Sequence, residues 1–541
     1  MAFKEFPCGC KIEIVNGKYD LRFDKIDLLC PATWDIFKSG KTKGVFQLER
    51  QGFMSSKVEP TCLEHLSDLV AIIRPGCKNS FIDGKSLTDH YVERKAGREP
   101  VEYLDEALRE ILQNTQGILT YQEQALQIAA KIAGFSLSEA DTLRKAIGKK
   151  KADVMAEMKI KFLEGSENTG IVSKSQAEEI FSWIEASQRY SFNKSHSVAY
   201  AANAYQTAYC KAHFPRSFYT TYLRYASSKI DTFEEIAELI EDAKEAGIDV
   251  NPPDVRHLNG QFELIDNKPT FGLQEIKGIG KSVYDKMMVG IKEQGIIDIN
   301  EIQWHAFLAL MIKYIKSNSF ESLILSGALD CMGHTRNSML HDFKVFKNIR
   351  DRELPYIQNY LKENPDETIT NAIHNMMLNN DMEDKKRPIF REARYEALLE
   401  IIDAFANPGY KLNDPIEWKA IKEKNLLGIS MTCAKSDGYD NSGSNMSCSD
   451  FLKNNLSTNG VHIVAELLEK REYAIKGGTH KGELMLFMKI QDSSAVLDNV
   501  VMFTDQYTKY KDVLMTESVF LFSGSKDDRG SFKVEKVQEV S

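Results

Sequence analysis

Long apolar runs are missing from this sequence of 541 residues. No stretch of roughly 18 consecutive apolar residues occurs, so no membrane-spanning helix and no membrane partner are expected. The first seven residues, MAFKEFP, also lack the apolar core of a signal peptide. With 43% hydrophobic and 27% charged residues, the composition is typical of a soluble globular protein, which we expect in the cytoplasm.

A disulfide framework is also missing. The nine cysteines are odd in number and have no regular spacing, which indicates reduced thiols. Cys8 and Cys10 are separated by one residue, but no second close pair follows to complete a tetrahedral metal site. The interpretation that we favour is a turn with two free thiols and no metal site. A structural metal at Cys8 and Cys10 is the alternative.

An excess of positive charge is absent overall, because the net charge is −9. Nucleic-acid binding therefore depends on whether cations gather locally. They gather between residues 144 and 161, where the only opposing carboxylates are Asp153 and Glu157 and the cations are Arg144, Lys145, Lys149, Lys150, Lys151, Lys159 and Lys161. A solvated basic helix face is the plain alternative to a phosphate-binding surface.

The length of the chain exceeds what one hydrophobic core supports, so we expect several domains. Asn16-Gly17 between alternating apolar residues predicts a hairpin near the N-terminus. Apolar residues three or four positions apart then predict helices as far as a proline-rich break at 251–254. The predicted domains are a β-hairpin segment (1–30), a helical domain (31–250), a second compact domain (251–350), a helical or linker region (351–455) and an all-β domain (456–541).

The last of these regions contains five short alternating segments with a helical insert. This pattern predicts a small Greek-key barrel, the OB-fold. OB-folds bind single strands by aromatic stacking in a basic groove, and the aromatic candidates here are Phe487, Phe503, Tyr507 and Tyr510. Most of these rings fall at alternating positions, so we expect the majority to be core residues.

Five short motifs in the first 200 residues form an ordered series. They are GVFQLE (44–49), RPG (74–76), GILTYQEQ (117–124), ADTLRKAIGKK (140–150) and NKSH (193–196). In order and spacing the series resembles the fingers region of bacterial and phage C-family replicative DNA polymerases, the DNA polymerase III alpha subunit. The resemblance continues to the end of the chain and implies a mainly α fingers domain, a helix-hairpin-helix segment and a C-terminal all-β OB-fold barrel.

The fingers resemblance implies a nucleotide site. Nucleotide addition needs cations around a triphosphate whose charge grows at the leaving oxygens. The residues that we expect to line the site are Arg144, Lys145, Lys149, Lys150, Lys194, His196, Tyr121 and Gln122. The alternative for Tyr121 is an aromatic buried in a helix interface, and the alternative for His196 is a structural residue of the Ser195–Ser197 turn.

Two further segments are predicted to contact DNA. Arg74 of the RPG motif is either a phosphate clamp or part of a helix stop. Residues 271–281, FGLQEIKGIGK, resemble a helix-hairpin-helix, whose backbone N–H groups at a helix N-terminus hold a phosphate without reading sequence. The implied DNA-binding residues in that segment are Lys277, Gly278, Gly280 and Lys281, and a tight turn between helices is the alternative.

The front half of the polymerase family has no counterpart here. We find neither the phosphoesterase-like (PHP) domain nor the palm aspartates that hold two metal ions, so we expect no catalytic residue and no activity from this chain alone. The resemblance therefore implies the DNA-binding half of a split polymerase, with primer–template, dNTP, magnesium and a palm-bearing chain as partners. Sliding-clamp binding is doubtful, because no clamp motif stands out between residues 335 and 420. A non-catalytic DNA-binding replisome protein is the alternative.

Overall fold

The computed structural model describes residues 2–149, 152–187, 191–378, 390–408, 412–454, 456–475, 480–515, 518–528 and 530–540; the side chains of 147–149 and 152–153 lie outside the description. The chain divides into two compact units, Met1–Phe218 and Tyr219–Ser541. None of the described helices combines the length and the apolar character that a membrane crossing requires.

The first half of the chain is mostly helical, with short strands near the N-terminus. The strands are β1 (Ala2–Glu5), β2 (Lys11–Val15), β3 (Lys18–Tyr19), β4 (Phe81–Ile82) and β5 (Lys85–Ser86). The helices are α1 (Pro31–Ser39), α2 (Gly52–Val58), α3 (Leu63–Ile72), α4 (Pro75–Lys78), α5 (Leu87–Lys95), α6 (Arg109–Leu112), α7 (Gln122–Ala133), α8 (Leu137–Lys149), α9 (Ala152–Thr169), α10 (Lys174–Ser187) and α11 (Lys194–His213).

Two hydrophobic cores build the first unit. One core joins the N-terminal strands and α1–α5 to α11. The buried side of α11 carries alanines such as Ala204 and Ala208, and this helix packs closely on α3. The other lies among α7, α8, α9 and α10, around Phe162 and Phe181. Small side chains on α11 let the backbones of α11 and α3 approach, so this long helix is held along its length.

The second half of the chain continues with helices and ends in strands. The helices are α12 (Pro215–Ala226), α13 (Thr232–Glu245), α14 (Lys281–Gln294), α15 (Trp304–Met311), α16 (Ser317–Leu325), α17 (Arg336–Phe346), α18 (Leu354–Glu363), α19 (Ile369–Leu378), α20 (Tyr395–Ala406), α21 (Ile416–Leu427), α22 (Cys448–Lys453) and α23 (Thr504–Tyr510). The strands are β6 (Glu263–Ile265), β7 (Lys268–Thr270), β8 (Thr458–Ala474), β9 (Leu484–Gln491), β10 (Val496–Met502), β11 (Val519–Lys526) and β12 (Phe532–Glu539).

A large core around Trp304, Phe307 and Phe320 holds the helices of the second unit together. The second unit also contains a buried ion pair: the Arg336 guanidinium contacts the Glu423 carboxylate at 2.7 Å, and both side chains are fully buried. Glu423 also accepts hydrogen bonds from the backbone of residues 431 and 432, which fixes the chain just after α21.

The five C-terminal strands form a closed barrel in the order β10-β12-β11-β8-β9. All neighbours are antiparallel except β10 and β12, which run parallel, and α23 connects β10 to β11. Gly524 lies at an irregularity of the β11–β12 ladder, where an added Cβ would be 1.9 Å from the carbonyl oxygen of Lys533. The predicted mainly helical chain with a C-terminal five-stranded domain is confirmed.

Candidate functional site

The N-terminus of α11 is fixed by two acceptors. The side chain of Asn193 accepts a hydrogen bond from the N–H of His196 at 2.9 Å and caps the helix. The Glu123 carboxylate, at the start of α7, accepts bonds from the Asn193 amide at 2.8 Å and from the Lys194 N–H at 3.0 Å. Since these N–H groups already have acceptors, binding of an anion here depends on side-chain cations.

A backbone bridge aligns α7 with the segment before α11. The N–H of Gln122 donates to the carbonyl of Phe192 at 2.9 Å, and the N–H of Phe192 donates to the carbonyl of Thr120 at 3.0 Å. The predicted site residues Tyr121 and Gln122 therefore lie beside the predicted residue Lys194. The sequence placed these motifs about 70 residues apart, and the fold brings them together.

Cationic and aromatic side chains surround this bridge and form what we call the α11 cluster: Arg74, Tyr121, Phe192, Lys194 and His196. The Arg74 guanidinium lies 3.8 Å from the centre of the Phe192 ring, and the Lys194 ammonium lies 5.7 Å from the Tyr121 ring. The His196 ring meets Phe192 edge-on at 5.3 Å. Arg74, Lys194 and His196 are exposed. The cluster thus presents three basic groups on aromatic supports.

Arg74 follows the end of α3 at Ile72 and begins the short helix α4. It is the N-cap residue of that helix, Pro75 occupies the first turn, and the side chain remains exposed. Proline is favoured in the first turn of a helix, because it has no N–H to leave unpaired. The RPG motif therefore turns the chain between α3 and α4 and directs the guanidinium onto Phe192.

Tyr121 is a buried member of the cluster, with 1% of its surface exposed. Its hydroxyl donates to the Asp68 carboxylate at 2.7 Å and lies 3.0 Å from the hydroxyl of Ser67. Tyr91 donates to the same carboxylate at 2.9 Å. Because Tyr121 is enclosed and its hydroxyl is paired, what it offers Lys194 is the face of its ring.

Asp68 anchors this network from α3. Burial raises the pKa of its carboxyl to about 6, although the two tyrosine donors and the nearby charge of Lys194 favour the ionised form. The sequence analysis missed Asp68. A signal was available, since a single acid stands inside the apolar run LSDLVAI of α3.

The basic residues on α8 pair with acidic residues that lie before the basic segment 144–161. The Asp141 carboxylate contacts Arg144 at 2.8 Å and Lys145 at 2.7 Å, and Lys145 and Arg144 together hold its pKa below the usual value. Lys161 pairs with Glu139 at 2.6 Å. Asp141 and Glu139 both precede residue 144, the first residue of the basic segment. Such exposed pairs are weak, so a phosphate can displace them.

The remaining predicted nucleotide-site residues are only partly placed. Within the described residues, no contact joins Arg144 or Lys145 to the α11 cluster. The side chain of Lys149 and all of Lys150 lie outside the described residues. The convergence of Arg144 with Lys194 on one pocket therefore stays a prediction.

The predicted hairpin in the second unit is a short turn between the 3₁₀ helix Leu273–Glu275 and α14. Gly278 adopts a φ of +93°, which favours glycine, and Ile279 is fully buried beneath the turn. Gly280 caps α14, and a Cβ there would meet nothing within 4 Å. Lys277 and Lys281 are exposed on either side. The turn therefore presents an open helix N-terminus between two ammonium groups.

The four aromatic candidates of the barrel fall into two groups. Phe487 and Phe503 are 38% and 46% exposed. Tyr507 is buried with its hydroxyl bonded to Glu472, and Tyr510 is half-buried. Only the first two present ring faces broad enough for stacking against a base.

Two family models match the chain. Residues 10–170 match the bacterial DNA polymerase III alpha subunit finger domain, and residues 247–339 match a helix-hairpin-helix motif. The first match covers Arg74 and Tyr121 of the α11 cluster but ends before Phe192, Lys194 and His196. The second match covers the turn at Gly278 and Gly280.

Several similar proteins are each named DNA polymerase III subunit alpha. That of Haemophilus influenzae is 36% identical over 63% of this chain and 29% of its own length, and that of Escherichia coli K12 is 33% identical over 60% and 28%. That of Pasteurella multocida is 31% identical over 94% of this chain and 41% of its own length. The chain thus spans less than half the length of these relatives, and it is related to the fingers-to-C-terminal region of the bacterial DNA polymerase III alpha family.

Proposed function

We propose that this chain is the fingers and DNA-binding half of a C-family DNA-directed DNA polymerase. It binds primer–template and an incoming dNTP, and another chain supplies the catalytic palm aspartates. The observation that carries the proposal is the α11 cluster, in which three exposed basic groups are held on fixed aromatic supports. We place this activity in the cytoplasm of a bacterial cell or a phage-infected host.

In this proposal the α11 cluster binds the triphosphate. Lys194, Arg74 and His196 offer cations and donors to phosphate oxygens, while Glu123 and Tyr121 position Lys194. Four basic residues of the ADTLRKAIGKK motif join them in this proposal: Arg144, Lys145, Lys149 and Lys150. Fixed donors of this kind stabilise charge that grows on the leaving oxygens and need no reorganisation during the reaction.

Two elements of the second unit hold DNA in this proposal. The turn at Gly278 and Gly280 binds a duplex phosphate through the N-terminus of α14, assisted by Lys277 and Lys281. The barrel is an OB-fold that binds single-stranded template, which its closed five-strand order and the helix between its third and fourth strands support. Both contacts are independent of sequence, as a replicative enzyme requires.

The catalytic magnesium ions come with the partner in this proposal. Two-metal catalysis needs converging carboxylates. Across the described ranges, three or more potential ligand atoms from His, Cys, Asp or Glu converge only at Cys8, Cys10, Cys30 and His213, a set without a carboxylate. The described residues thus do not fit the catalytic ions, and we assign those ions to a palm-bearing chain.

The test is reconstitution with a candidate palm-bearing chain. The two purified chains are mixed with primed template, dNTPs and magnesium, and primer extension is expected only in the mixture. Lys194→Ala should lower kcat/KM for dNTP about 10- to 100-fold, which corresponds to the loss of one charge-assisted hydrogen bond.

Lys174→Ala is the matched control, because Lys174 is also an exposed first residue of a long helix in the same unit. Equal effects of the two substitutions would reject the nucleotide site. Salt-sensitive DNA binding without extension in any pairing would favour the alternative, a non-catalytic DNA-binding protein of the replisome.

A further inference from the structure

Three cysteines and one histidine that are far apart in the sequence meet in the first unit. Their ligand atoms, the sulfurs of Cys8, Cys10 and Cys30 and a ring nitrogen of His213, all lie within 4.8 Å of one another. The Cys8 and Cys30 sulfurs are 3.9 Å apart, and the Cys30 sulfur is 3.1 Å from Nε2 of His213. We call these four residues the Cys3His cluster.

These distances are close to those between the ligand atoms of a tetrahedral zinc site. Zinc binds thiolate sulfur at about 2.3 Å and imidazole nitrogen at about 2.0 Å, which places the ligand atoms of a tetrahedron about 3.5 to 3.8 Å apart. Three sulfurs and one imidazole form a soft ligand set that suits zinc rather than magnesium or calcium. We propose that the Cys3His cluster binds one structural zinc ion, with four protein ligands and no open position for substrate.

The surroundings of the cluster hold the ligands in place. Cys10 and Cys30 are buried, whereas Cys8 and His213 are half-buried. The His213 ring lies 4.0 Å from the ring of Phe6 and 4.3 Å from that of Tyr209, which restricts its rotation. These contacts leave the edge of the ring facing the sulfurs.

The cluster joins three separate elements. Cys8 and Cys10 lie in the turn between β1 and β2, Cys30 precedes α1, and His213 is the last residue of α11. Cys30 and His213 are 183 residues apart. A zinc ion there fastens the N-terminal strands to the end of the helix that begins with Lys194, and the binding free energy adds to folding.

The first measurement is the metal content of the full chain, purified under reducing conditions from cells supplied with zinc. We expect about one zinc per chain, the stoichiometry of one closed four-ligand site. Cys30→Ser should lose most of this zinc. The matched control is Cys210→Ser, since Cys210 is a half-buried cysteine that lies outside the cluster on α11, the helix that carries His213.

The second measurement remains informative if Cys30→Ser fails to fold. The metal-free wild-type chain is titrated with cobalt(II), which should give the visible bands of a tetrahedral ion and a near-ultraviolet thiolate charge-transfer band, both abolished by zinc. His213→Ala should weaken the bands, and His213→Cys should retain metal through a fourth sulfur.

Three results would overturn the proposal. One is a wild-type chain that carries no zinc and gives no tetrahedral cobalt spectrum. Another is equal zinc loss in Cys30→Ser and Cys210→Ser. The third is a disulfide between Cys8 and Cys30, found by mass spectrometry in chain whose free thiols were alkylated at cell lysis, which would show that these two sulfurs pair with each other in the cell. None of these measurements uses polymerase activity, so they are independent of the proposed function.

Discussion

The hydroxyl of Tyr121 provides a test of how the α11 cluster is built. The structure places this group against the buried Asp68 carboxylate at 2.7 Å. Tyr121→Phe removes the donor and keeps the ring beside Lys194. We therefore expect the substitution to destabilise the first unit without changing the affinity for nucleotide.

The magnitude follows from the charge of the acceptor. A hydrogen bond to an ionised group contributes about 1.5 to 3 kcal/mol, and one between neutral groups contributes about 1 kcal/mol. Tyr121→Phe should thus lower the free energy of unfolding by about 2 kcal/mol at pH 8, where Asp68 is ionised. At pH 5, where most of the Asp68 carboxyl is protonated, the loss should shrink to about 1 kcal/mol.

The sign of this pH dependence comes from linkage. The pKa of Asp68 in the folded protein is about 6, above its ordinary value of 3.8. The stability that this group contributes is therefore full below about pH 4 and is lost as the pH rises through about 6. Removing a donor that favours the carboxylate raises the folded pKa further, so the variant loses more stability at high pH than at low pH.

Tyr91→Phe is the matched control, because Tyr91 donates to the same carboxylate from α5 at 2.9 Å. Hydrogen exchange of peptides from α7 reports on the first unit alone, and a loss of 2 kcal/mol should speed exchange by about 30-fold in amides that require unfolding. Both variants should show this effect, while binding of a fluorescent dNTP stays unchanged. Weaker nucleotide binding in Tyr121→Phe alone, with unchanged exchange, would refute the structural role.

Three other variants test other parts of the molecule. Lys277→Ala combined with Lys281→Ala should weaken duplex binding at every sequence and lower the slope of log affinity against log salt by about 2, as measured by fluorescence anisotropy. Gly524→Ala should destabilise the barrel by about 3 kcal/mol or more, because the new Cβ meets a strand carbonyl, and thermal denaturation would show it. Glu423→Gln should cost about 1.5 to 3 kcal/mol in urea unfolding, because Arg336 loses one buried charge-assisted partner and keeps its pair with Asp330.

Local structure in this chain could be predicted from local sequence. Apolar periodicity predicted helices as far as the proline-rich break at 251–254, and the structure has helices there such as α8 (Leu137–Lys149) and α13 (Thr232–Glu245). Asn16-Gly17 forms the expected turn, with φ values of 52° and 76°. These features depend on neighbours within a few residues, which a reader of the sequence can see.

The partners of charged and polar side chains were harder to predict. The sequence shows that Arg144 and Lys145 are basic, but Asp141 on the preceding turn of the same helix pairs with both. The acceptor for Tyr121 lies 53 residues away on another helix. Side-chain pairing depends on which faces of which helices meet, and helix periodicity does not contain that information.

The Cys3His cluster could not be predicted from the sequence either, because its four ligands come from distant parts of the chain. Two cysteines one residue apart are half of a tetrahedral site, and no local pattern joins them to Cys30 and His213. The joining element is α11, whose 20 residues span about 30 Å at 1.5 Å per residue. One end of this helix carries Lys194 and the other carries His213.

Because α11 packs on both α3 and α1, these neighbours resist displacement of the helix. A zinc ion at His213 would therefore restrict the position of Lys194 without touching substrate. Loss of zinc should then raise KM for dNTP in the reconstituted enzyme more than it lowers kcat, since the α11 cluster with Lys194 would be displaced rather than removed. A fall in kcat with unchanged KM would show that the two ends of α11 are not coupled in this way.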